Sequence, residues 1–352
     1  MDLFGEEIVE EESEVEEVSE EPEGPQTPRT AKDCLGHNKI EETLLEQFQS
    51  GRMPHGLIFS GPKGIGKSTF AYRLTRQILK NEALIVSGGH PDLLTIERAY
   101  DAAKDEYKGS VAVDEVRKVN PFLRMTASYE NGWRVVIIDD ADTMNRNAQN
   151  ALLKILEEPP ANTVLILICH RLGALVPTIR SRTRTITFNP LSREVFDQLL
   201  VGQGYELSPA QYETLYELSE GSIGTALEHI EQGGLDTLTQ ILGALDQYPS
   251  WSWPDLHVLA DQLSRSGRDQ SYSSFTKLLP WVFSQMIIAK ARGQAISSQV
   301  LQIPTIETLH RQSSLESLLK ICENLKSHFE RAERSNLDKR QAVLGAFSII
   351  GA

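Results

Sequence analysis

Short apolar runs alternate with helical patterns between about residues 38 and 191. The run GLIFS, at 56–60, leads into a glycine-rich loop and then into a helical pattern from Thr69 to about Asn81. Four further runs follow, DLLTIE, RVVIID, TVLILI and TITF. Continuous apolar strands separated by helices are typical of a parallel sheet that is covered on both faces. The pattern therefore predicts an α/β fold with a parallel sheet.

Two helical stretches within this region are informative. VRKVNPFLRM has helical spacing, but Pro121 lacks a backbone donor, so we expect a helix to start, stop or kink there. In NRNAQNALLKILEEPP the apolar residues follow the spacing of a helix with one buried face, at Ala148, Ala151, Leu152, Ile155 and Leu156. Glu157 and Glu158 end this helix against its dipole, which fits either a functional role or a solvated helix end.

After Pro190 the strand pattern gives way to amphipathic helices. Residues 191 to about 232 form short helical patterns separated by Gly and Pro, and Gly233 and Gly234 make a hinge candidate. Leu, Ile and Phe recur at helical spacing from 235 onwards. We therefore predict a nucleotide-binding α/β domain at 31–190, a small helical lid domain at 191–233 and a larger helical domain at 234–352.

The N-terminal 30 residues differ in composition from the rest of the chain. They hold twelve acidic side chains and one basic one, Arg29, whereas the remainder has 34 basic and 37 acidic residues. With three prolines and almost no aromatic residue, this segment lacks the apolar surface needed to fold, and we predict a disordered acidic tail at 1–30. It is either a solvating extension or a docking segment for a basic partner.

The three cysteines, Cys34, Cys169 and Cys322, are far apart in the sequence. No C-x-x-C pair is present to hold a structural zinc, and scattered thiols are typical of reduced proteins of the cytoplasm. The sequence also shows neither a signal peptide nor a long apolar run. We expect no zinc, no membrane association and a cytoplasmic location.

The stretch GPKGIGKS, at 61–68, fits the phosphate-binding pattern G-x-x-x-x-G-K-[ST] between a strand and a helix. Backbone N–H groups of the loop, with Gly61, Gly64 and Gly66, and of the helix start at Thr69 can cradle phosphate oxygens. Lys67 adds a positive charge, and the Ser68 hydroxyl can bind Mg²⁺. The pattern predicts a site for a nucleotide such as ATP.

The strand RVVIIDDAD supplies the second element of such a site. Asp139, at the strand end, can hold the metal ion through water. Asp140 stands where many ATPases have a water-activating glutamate and is a candidate for that role. An ordinary helix start explains Asp142, whereas for Asp140 a helix start and water activation are equally good explanations.

Together these residues resemble the AAA+ clamp-loader family of bacterial DNA polymerase III. The run from ADTMNRNAQNALLKILEEPP to IRSRTRTITFNPL, with GPKGIGKS before it, is similar to that family in order and spacing. The resemblance covers about residues 34–232 and includes LGHNKI, RMPHGLIFSGP and HPDLLTI; the segment NLDKRQAVLGAF looks similar too. Within the family the chain looks most like the delta-prime type of subunit.

The resemblance implies a five-membered ring of motor subunits (gamma or tau), delta and delta-prime, joined through C-terminal helical collar domains. Such a ring uses ATP to open a sliding clamp and place it on primed DNA. By position, the loop from Gly61 to Ser68 would hold the nucleotide and Asp139 would lie on the metal side. Arg182, in IRSRT, would be the arginine finger that reaches the ATP site of a neighbouring motor subunit, where it stabilises phosphoryl charge.

Several family positions are altered in this sequence. The sensor position after the fourth strand falls near Cys169, and Gly224, in GSIGTAL, replaces an arginine. The zinc cysteines are missing, and SRC has become SRT at Thr183. These departures favour a subunit that binds ATP and hydrolyses it poorly. An ATP-hydrolysing motor subunit is the alternative, and a small-molecule kinase is a more distant one.

Overall fold

The structure is a computed structural model that describes residues 27–31, 34–101, 106–265 and 269–351. The predicted acidic tail lies almost entirely outside these residues. The strands are β1 Gly56–Ser60, β2 Leu93–Ile96, β3 Tyr100–Asp101, β4 Glu106–Tyr107, β5 Arg134–Ile138, β6 Thr163–Cys169 and β7 Arg184–Thr187. The helices are α1 Asn38–Gln49, α2 Lys67–Ile78, α3 Glu82–Ser87, α4 Val113–Arg117, α5 Val119–Arg124, α6 Arg146–Glu157, α7 Pro177–Arg180, α8 Arg193–Gly202, α9 Pro209–Ser219, α10 Ile223–Glu231, α11 Gly234–Leu245, α12 Trp253–Ser264, α13 Asp269–Ala291, α14 Pro304–Gln312, α15 Leu315–Arg334 and α16 Lys339–Ile350.

Five strands form one parallel sheet in the order β2-β5-β6-β1-β7. The predicted parallel α/β fold is confirmed, and each of its strands coincides with an apolar run of the sequence. β1 lies between β6 and β7, and the chain leaves β1 and β6 in opposite directions across the sheet. Ligands of open α/β sheets bind outside the carboxyl ends of strands at such a point. The fold therefore places a binding crevice beyond Ser60 and Cys169.

Helices cover both faces of the sheet, and alternate strand residues point to opposite faces. In β1, Leu57 and Phe59 pack with Phe70 and Leu74 of α2 on one face. Ile58 packs on the other face in the cluster that contains Leu152 of α6. All five β1 residues are buried. Burial on both faces explains why the strands read as continuous apolar runs.

The two helical stretches singled out in the sequence form as predicted. The helical pattern around Pro121 is divided into α4, which ends at Arg117, and α5, which begins at Val119. The side chain of Asn145 caps α6 by accepting a hydrogen bond from the Ala148 N–H at 2.9 Å. The apolar face of α6 then packs against the sheet.

After β7 the described residues form helices and the turns between them. Helices α8–α10, the lid region, enclose a small apolar cluster around Phe196, Leu200 and Leu215. Helices α11–α16, the C-terminal helical region, share a larger cluster. The two regions meet where the Glu217 carboxylate of α9 accepts hydrogen bonds from the Ser298 hydroxyl and, at 3.1 Å, from the Gln299 N–H. The lid region is thereby bonded to the C-terminal helices.

Residues 27–30, which the sequence placed in the acidic tail, form a turn that packs on α2. The Arg76 guanidinium donates to the Arg29 carbonyl and, at 2.9 Å, to the Ala31 carbonyl. The Arg29 guanidinium donates to the Tyr72 hydroxyl at 3.3 Å and lies over the Tyr72 ring. These four residues therefore belong to the folded part of the chain, because the Arg29 and Tyr72 contacts tie the turn to α2. Among the helices of the described residues, none combines the length and apolar character needed to span a bilayer.

Candidate nucleotide site

The phosphate loop lies at the crevice that the sheet topology creates. β1 ends at Ser60, and α2 begins at Lys67 after Gly66, which has a φ of 92°. Gly61 passes so close to the residue that follows β7 that a Cβ would lie 2.3 Å from the Phe188 carbonyl oxygen. Only glycine fits there, since no side chain avoids that oxygen. The loop and the amino end of α2 thus present backbone N–H groups to the crevice.

The Lys67 ammonium is buried and fully hydrogen-bonded within the protein. It donates to the carbonyl oxygens of Gly61, at 2.8 Å, and Pro62, and it lies 2.9 Å from Nδ1 of His170. Burial lowers the pKa of Lys67 to about 8, while the Asp139 carboxylate acts in the opposite direction. The side chain therefore keeps its positive charge at neutral pH.

Ser68 and Asp139 are brought together across the crevice. The Ser68 hydroxyl donates to Oδ2 of Asp139 at 2.6 Å, and Oδ1 of Asp139 accepts from the Asp140 N–H at 2.8 Å. A hydroxyl and a carboxylate at this distance are the oxygen donors that Mg²⁺ takes beside substrate phosphates. Among the described residues no group of three or more His, Cys, Asp or Glu side chains could hold a metal ion by itself. The pair fits a Mg²⁺ ion whose other ligands are phosphate and water oxygens.

A cavity of about 430 Å³ opens beside the loop. Its floor is the loop from Gly64 to Thr69, and its other walls come from His170, from the lid region and from Pro28, Ala31, Cys34 and Leu35. Leu191, Leu199 and Leu227 make part of the lid wall apolar. A polar floor with apolar walls suits a ligand that has phosphate at one end and an aromatic base at the other.

The lid region touches the phosphate loop directly. The Gly224 N–H donates to the Gly64 carbonyl at 2.8 Å, and the Ser222 hydroxyl donates to the Lys63 carbonyl at 2.7 Å. A Cβ on Gly224 would lie 2.8 Å from Cα of Gly64, closer than real Cβ atoms approach backbone. An exposed ion pair between Lys63 and Glu228 adds a third contact. Gly224 therefore permits a contact that an arginine at this position would break.

Arg182 lies away from the phosphate loop, near the opposite end of β1. Its carbonyl oxygen is 3.6 Å from where a Cβ of Gly56 would be, and Gly56 is the first residue of that strand. The strand spans roughly 13 Å at about 3.3 Å per residue, so the loop begins at that distance. The Arg182 side chain pairs with Glu157 at 2.9 Å and donates to the Thr178 carbonyl at 3.1 Å. It is half-exposed and lies outside the cavity at the loop.

Comparison with known proteins identifies the family. A family described as DNA polymerase III, delta subunit, matches residues 36–192. Over 243 residues the chain is 32% identical to DNA polymerase III subunit delta' of Pseudomonas aeruginosa, which covers 65% of this chain and 68% of that protein. The chain belongs to the AAA+ clamp-loader family of DNA polymerase III subunits.

The chain is also similar to a eukaryotic protein and to a solved structure. The clamp-loader chain is 29% identical over 208 residues to replication factor C subunit 3 of Blastobotrys adeninivorans, a match that covers 57% of this chain and 56% of that protein. It thus spans little more than half the length of that relative. A DNA polymerase III gamma subunit-related protein of Thermotoga maritima aligns with 90% of this chain and 98% of its own, at 17% identity and a TM-score of 0.43.

Asp140 of this clamp-loader subunit is held by two cationic or polar partners. Its Oδ1 lies 2.9 Å from Nε2 of His170, and its Oδ2 accepts from Nε of Arg98 at 2.5 Å. The hydrogen bond from His170 lowers the pKa of Asp140 to about 2, with Arg98 acting in the same direction and burial opposing both. A general base works best with a pKa near the operating pH. The position predicted for water activation thus holds a weak base that is already paired.

Asp142 and the cysteines have structural surroundings. The buried Asp142 carboxylate accepts a hydrogen bond from the backbone N–H of His170 at 3.0 Å and forms an ion pair with Arg171. Both contacts agree with a structural role. Cys169, at the expected sensor position, is buried at the end of β6. All three cysteines are buried and free. The expectation that the chain binds no zinc stays a prediction.

His170 is the site residue that sequence reasoning missed. It immediately follows β6, the neighbour of β1, so it comes out at the same edge of the sheet as the phosphate loop. Its ring lies between Lys67 and Asp140 and contacts both. Strand adjacency was the signal that could have found it, because neighbouring parallel strands bring their following residues together.

Proposed function

We propose that this chain is a delta-prime-type subunit of a bacterial clamp loader. It binds Mg-ATP, hydrolyses it poorly and supplies Arg182 to a neighbouring motor subunit. The observation that carries this proposal is a complete phosphate loop beside an Asp140 carboxylate whose two oxygens are already engaged by His170 and Arg98. The loop serves binding, and the paired carboxylate disfavours water activation.

Nucleotide binding is assigned to the loop and the start of α2. Gly61, Gly64 and Gly66 let the backbone approach phosphate oxygens, and the N–H groups from Lys67 to Thr69 lie at the positive end of the helix. The Lys67 charge faces the same place. Ser68 and Asp139, 2.6 Å apart, are the residues that would hold Mg²⁺ beside the phosphates.

Poor hydrolysis follows from two features. Asp140, with a pKa near 2, would have to leave His170 and Arg98 before it could accept a proton from water. Gly224 presents no guanidinium to the phosphates, and its N–H is bonded to the loop. The site thereby lacks a free base to activate water. It also lacks a lid arginine to stabilise the charge that develops on the phosphoryl group.

Arg182 is assigned as an arginine finger that acts on another subunit. It lies by the amino end of β1, away from its own loop, so it cannot serve the nucleotide of its own chain. Its half-exposed planar guanidinium is suited to paired phosphate oxygens. A contact across a ring interface is the arrangement that fits both facts.

The similarity to subunit delta' of Pseudomonas aeruginosa supports the choice of partners. We infer that the chain joins gamma or tau motor subunits and a delta subunit in a five-membered ring, which loads the sliding clamp onto primed DNA at the bacterial nucleoid. The largely distinct apolar clusters of the α/β, lid and C-terminal helical regions support domains at 31–190, 191–233 and 234–352, the last being the collar.

An ATP-hydrolysing motor subunit is the second candidate, and the complete loop favours it. The two candidates differ in turnover. A motor subunit would hydrolyse ATP itself, and this turnover would depend on its own Lys67. A delta-prime-type subunit would leave the turnover of the ring to its neighbours.

The deciding experiment titrates the purified chain with a fluorescent ATP analogue and Mg²⁺ and then follows phosphate release. We expect saturable binding that Lys67→Ala abolishes, with negligible release of phosphate. Robust turnover that Lys67→Ala removes would support the motor subunit instead. Absence of any binding would contradict the assignment of the loop to ATP.

A further inference from the structure

Lys67 has no free donor in this structure. Its ammonium carries three N–H groups, and three acceptors surround it: the Gly61 carbonyl, the Pro62 carbonyl and Nδ1 of His170. The first two belong to the phosphate loop itself. The third comes from the end of β6, across the crevice. A phosphate that binds Lys67 must therefore replace one of these acceptors.

The neighbours of His170 fix the roles of its two ring nitrogens. An ammonium only donates hydrogen bonds, so Nδ1, 2.9 Å from Lys67, is an acceptor. A carboxylate only accepts, so Nε2, 2.9 Å from Asp140, carries the hydrogen. The ring is in the neutral tautomer with hydrogen on Nε2, which the pair of partners holds in place. Arg98 in turn fixes Asp140 from its other oxygen.

His170 is the acceptor that a phosphate would displace. The imidazole lines the cavity together with the loop from Gly64 to Thr69, whereas the residues Gly61 and Pro62 lie outside that lining. A ligand that enters through the cavity meets the face of Lys67 that His170 occupies.

We propose that His170 sets the nucleotide affinity of this subunit by competing with phosphate for Lys67. This inference rests on the proposed binding of ATP by the loop. Each binding event exchanges a hydrogen bond between Lys67 and His170 for one between Lys67 and a phosphate oxygen. The apparent affinity is thereby reduced, as for any protein whose free state must be rearranged before it binds. Removal of the competing acceptor tightens binding roughly tenfold, which is the effect expected for one hydrogen bond to a charged group.

Two substitutions separate the contacts of the ring. In His170→Asn the amide oxygen takes the place of Nδ1, so Lys67 keeps its acceptor. In His170→Gln the longer side chain places its amide near the position of Nε2, so the contact with Asp140 is kept and the acceptor for Lys67 is lost. The matched pair therefore tests the Lys67 contact at one position, with the same functional group.

The dissociation constant of Mg-ATP is measured for both variants and for the wild-type chain by titration calorimetry, with circular dichroism as the folding check. We expect His170→Gln to bind roughly tenfold more tightly and His170→Asn to stay close to wild type. The Tm without nucleotide should fall for His170→Gln, while the rise in Tm on adding Mg-ATP should grow. Loss of a residue with only a structural role would lower the Tm without nucleotide but would not enlarge the rise in Tm on adding Mg-ATP.

Unchanged or weaker binding by His170→Gln, with a wild-type chain that binds ATP, overturns the inference and leaves the proposed function intact. Weaker binding would place His170 among the groups that contact phosphate. Equal tightening by Asn and Gln also overturns it, since Lys67 would then not be the partner that matters. Failure of wild type and His170→Gln alike to bind Mg-ATP overturns the inference together with the proposed function.

Discussion

Nη2 of Arg182 lies 2.9 Å from Oε1 of Glu157, so the proposed arginine finger is paired within its own chain. The Arg182 side chain is 36% exposed and that of Glu157 is 51% exposed. An ion pair with this exposure contributes only about 0 to 1 kcal/mol, because water screens both charges. Glu157 can therefore hold the guanidinium in a free subunit and release it when a neighbour presents phosphate.

Arg182→Ala should leave ATP binding by the isolated chain unchanged and lower the clamp- and DNA-stimulated ATP hydrolysis of a reconstituted ring. The loss should be partial, because other subunit interfaces carry their own fingers. Arg182→Lys should rescue little, since a point charge cannot reproduce the bidentate geometry. The measurement is the ATPase rate and clamp loading of rings in which only this subunit is changed.

Glu157→Gln is the control for Arg182. It removes the partner within the chain and keeps the guanidinium, so hydrolysis by the ring should stay near wild type. Normal rates for the fully assembled Arg182→Ala ring would show that Arg182 is an ordinary surface residue.

Gly224→Arg, which restores the residue type that the family resemblance implies, should open the lid region instead of creating an ATPase. The new Cβ would meet Gly64 at 2.8 Å, and the hydrogen bond from the Gly224 N–H to the Gly64 carbonyl would be lost. Hydrogen exchange should accelerate across α10, and Gly224→Ala should show the same effect to a smaller degree. Gly243→Ala is the matched control, because this helical glycine has open space around it.

Gly243→Ala should stabilise the chain slightly, by about 0.5 to 1 kcal/mol, since alanine is the better helix former. If α10 in Gly224→Arg exchanges as slowly as in wild type, the contact between the lid region and the loop does not depend on glycine.

Cys34 should make the stability of the chain fall at alkaline pH. Burial raises the pKa of its thiol to about 11, above the value of about 8.5 for a free cysteine. A raised folded pKa means that the folded state holds the proton more tightly, so this contribution is present below about pH 8.5 and is lost as the pH rises towards 11. The loss is on the order of 3 kcal/mol.

The measurement for Cys34 is the free energy of unfolding by urea at intervals between neutral pH and pH 11. Cys34→Ala should flatten the slope over this range, because alanine does not titrate. Parallel pH curves for the two proteins would mean that the thiol is not held in the protonated state by the fold.

Truncation should show where the N-terminal segment becomes structural. Removal of residues 1–26 should leave the Tm unchanged, whereas removal of 1–31 takes away the carbonyls of Arg29 and Ala31 that accept from Arg76. Because the largely buried Arg76 guanidinium then lacks these acceptors, the chain should lose about 1 to 3 kcal/mol of stability. Thermal melts of the two truncations and of Arg29→Ala check this. Equal Tm values for both truncations would show that the 27–31 turn is dispensable.

The sequence was most informative where local pattern and burial agree. The run GLIFS became β1 because both of its faces are buried, and the apolar spacing of Ala148 and Leu152 became the buried face of α6. The phosphate loop was also predictable, since its glycines and Lys67 have a fixed spacing. Features that depend on a contact between distant segments could not be predicted from the sequence.

His170 illustrates this limit. Its role comes from a lysine 103 residues earlier in the chain and an aspartate 30 residues earlier, and neither spacing is visible in the sequence. Gly224 was recognised as a departure, but its contact with Gly64 required the packing of α10 on the loop. Residues 27–30 were assigned to the tail by composition. They are folded because this segment supplies carbonyl acceptors, at Arg29 and Ala31, for the Arg76 guanidinium.

Two contacts of the lid region lie only five residues apart, that of Glu217 with the C-terminal helices and that of Ser222 with the phosphate loop. A displacement of the loop can thus reach the C-terminal helices by way of residues 217–222, without passing through the sheet. This short stretch is a mechanical linkage between the part of the chain that meets phosphate and the part proposed to hold the ring together. The length and stiffness of this stretch, more than the identity of any one side chain in it, would determine how much of a displacement at the loop is transmitted to the C-terminal helices.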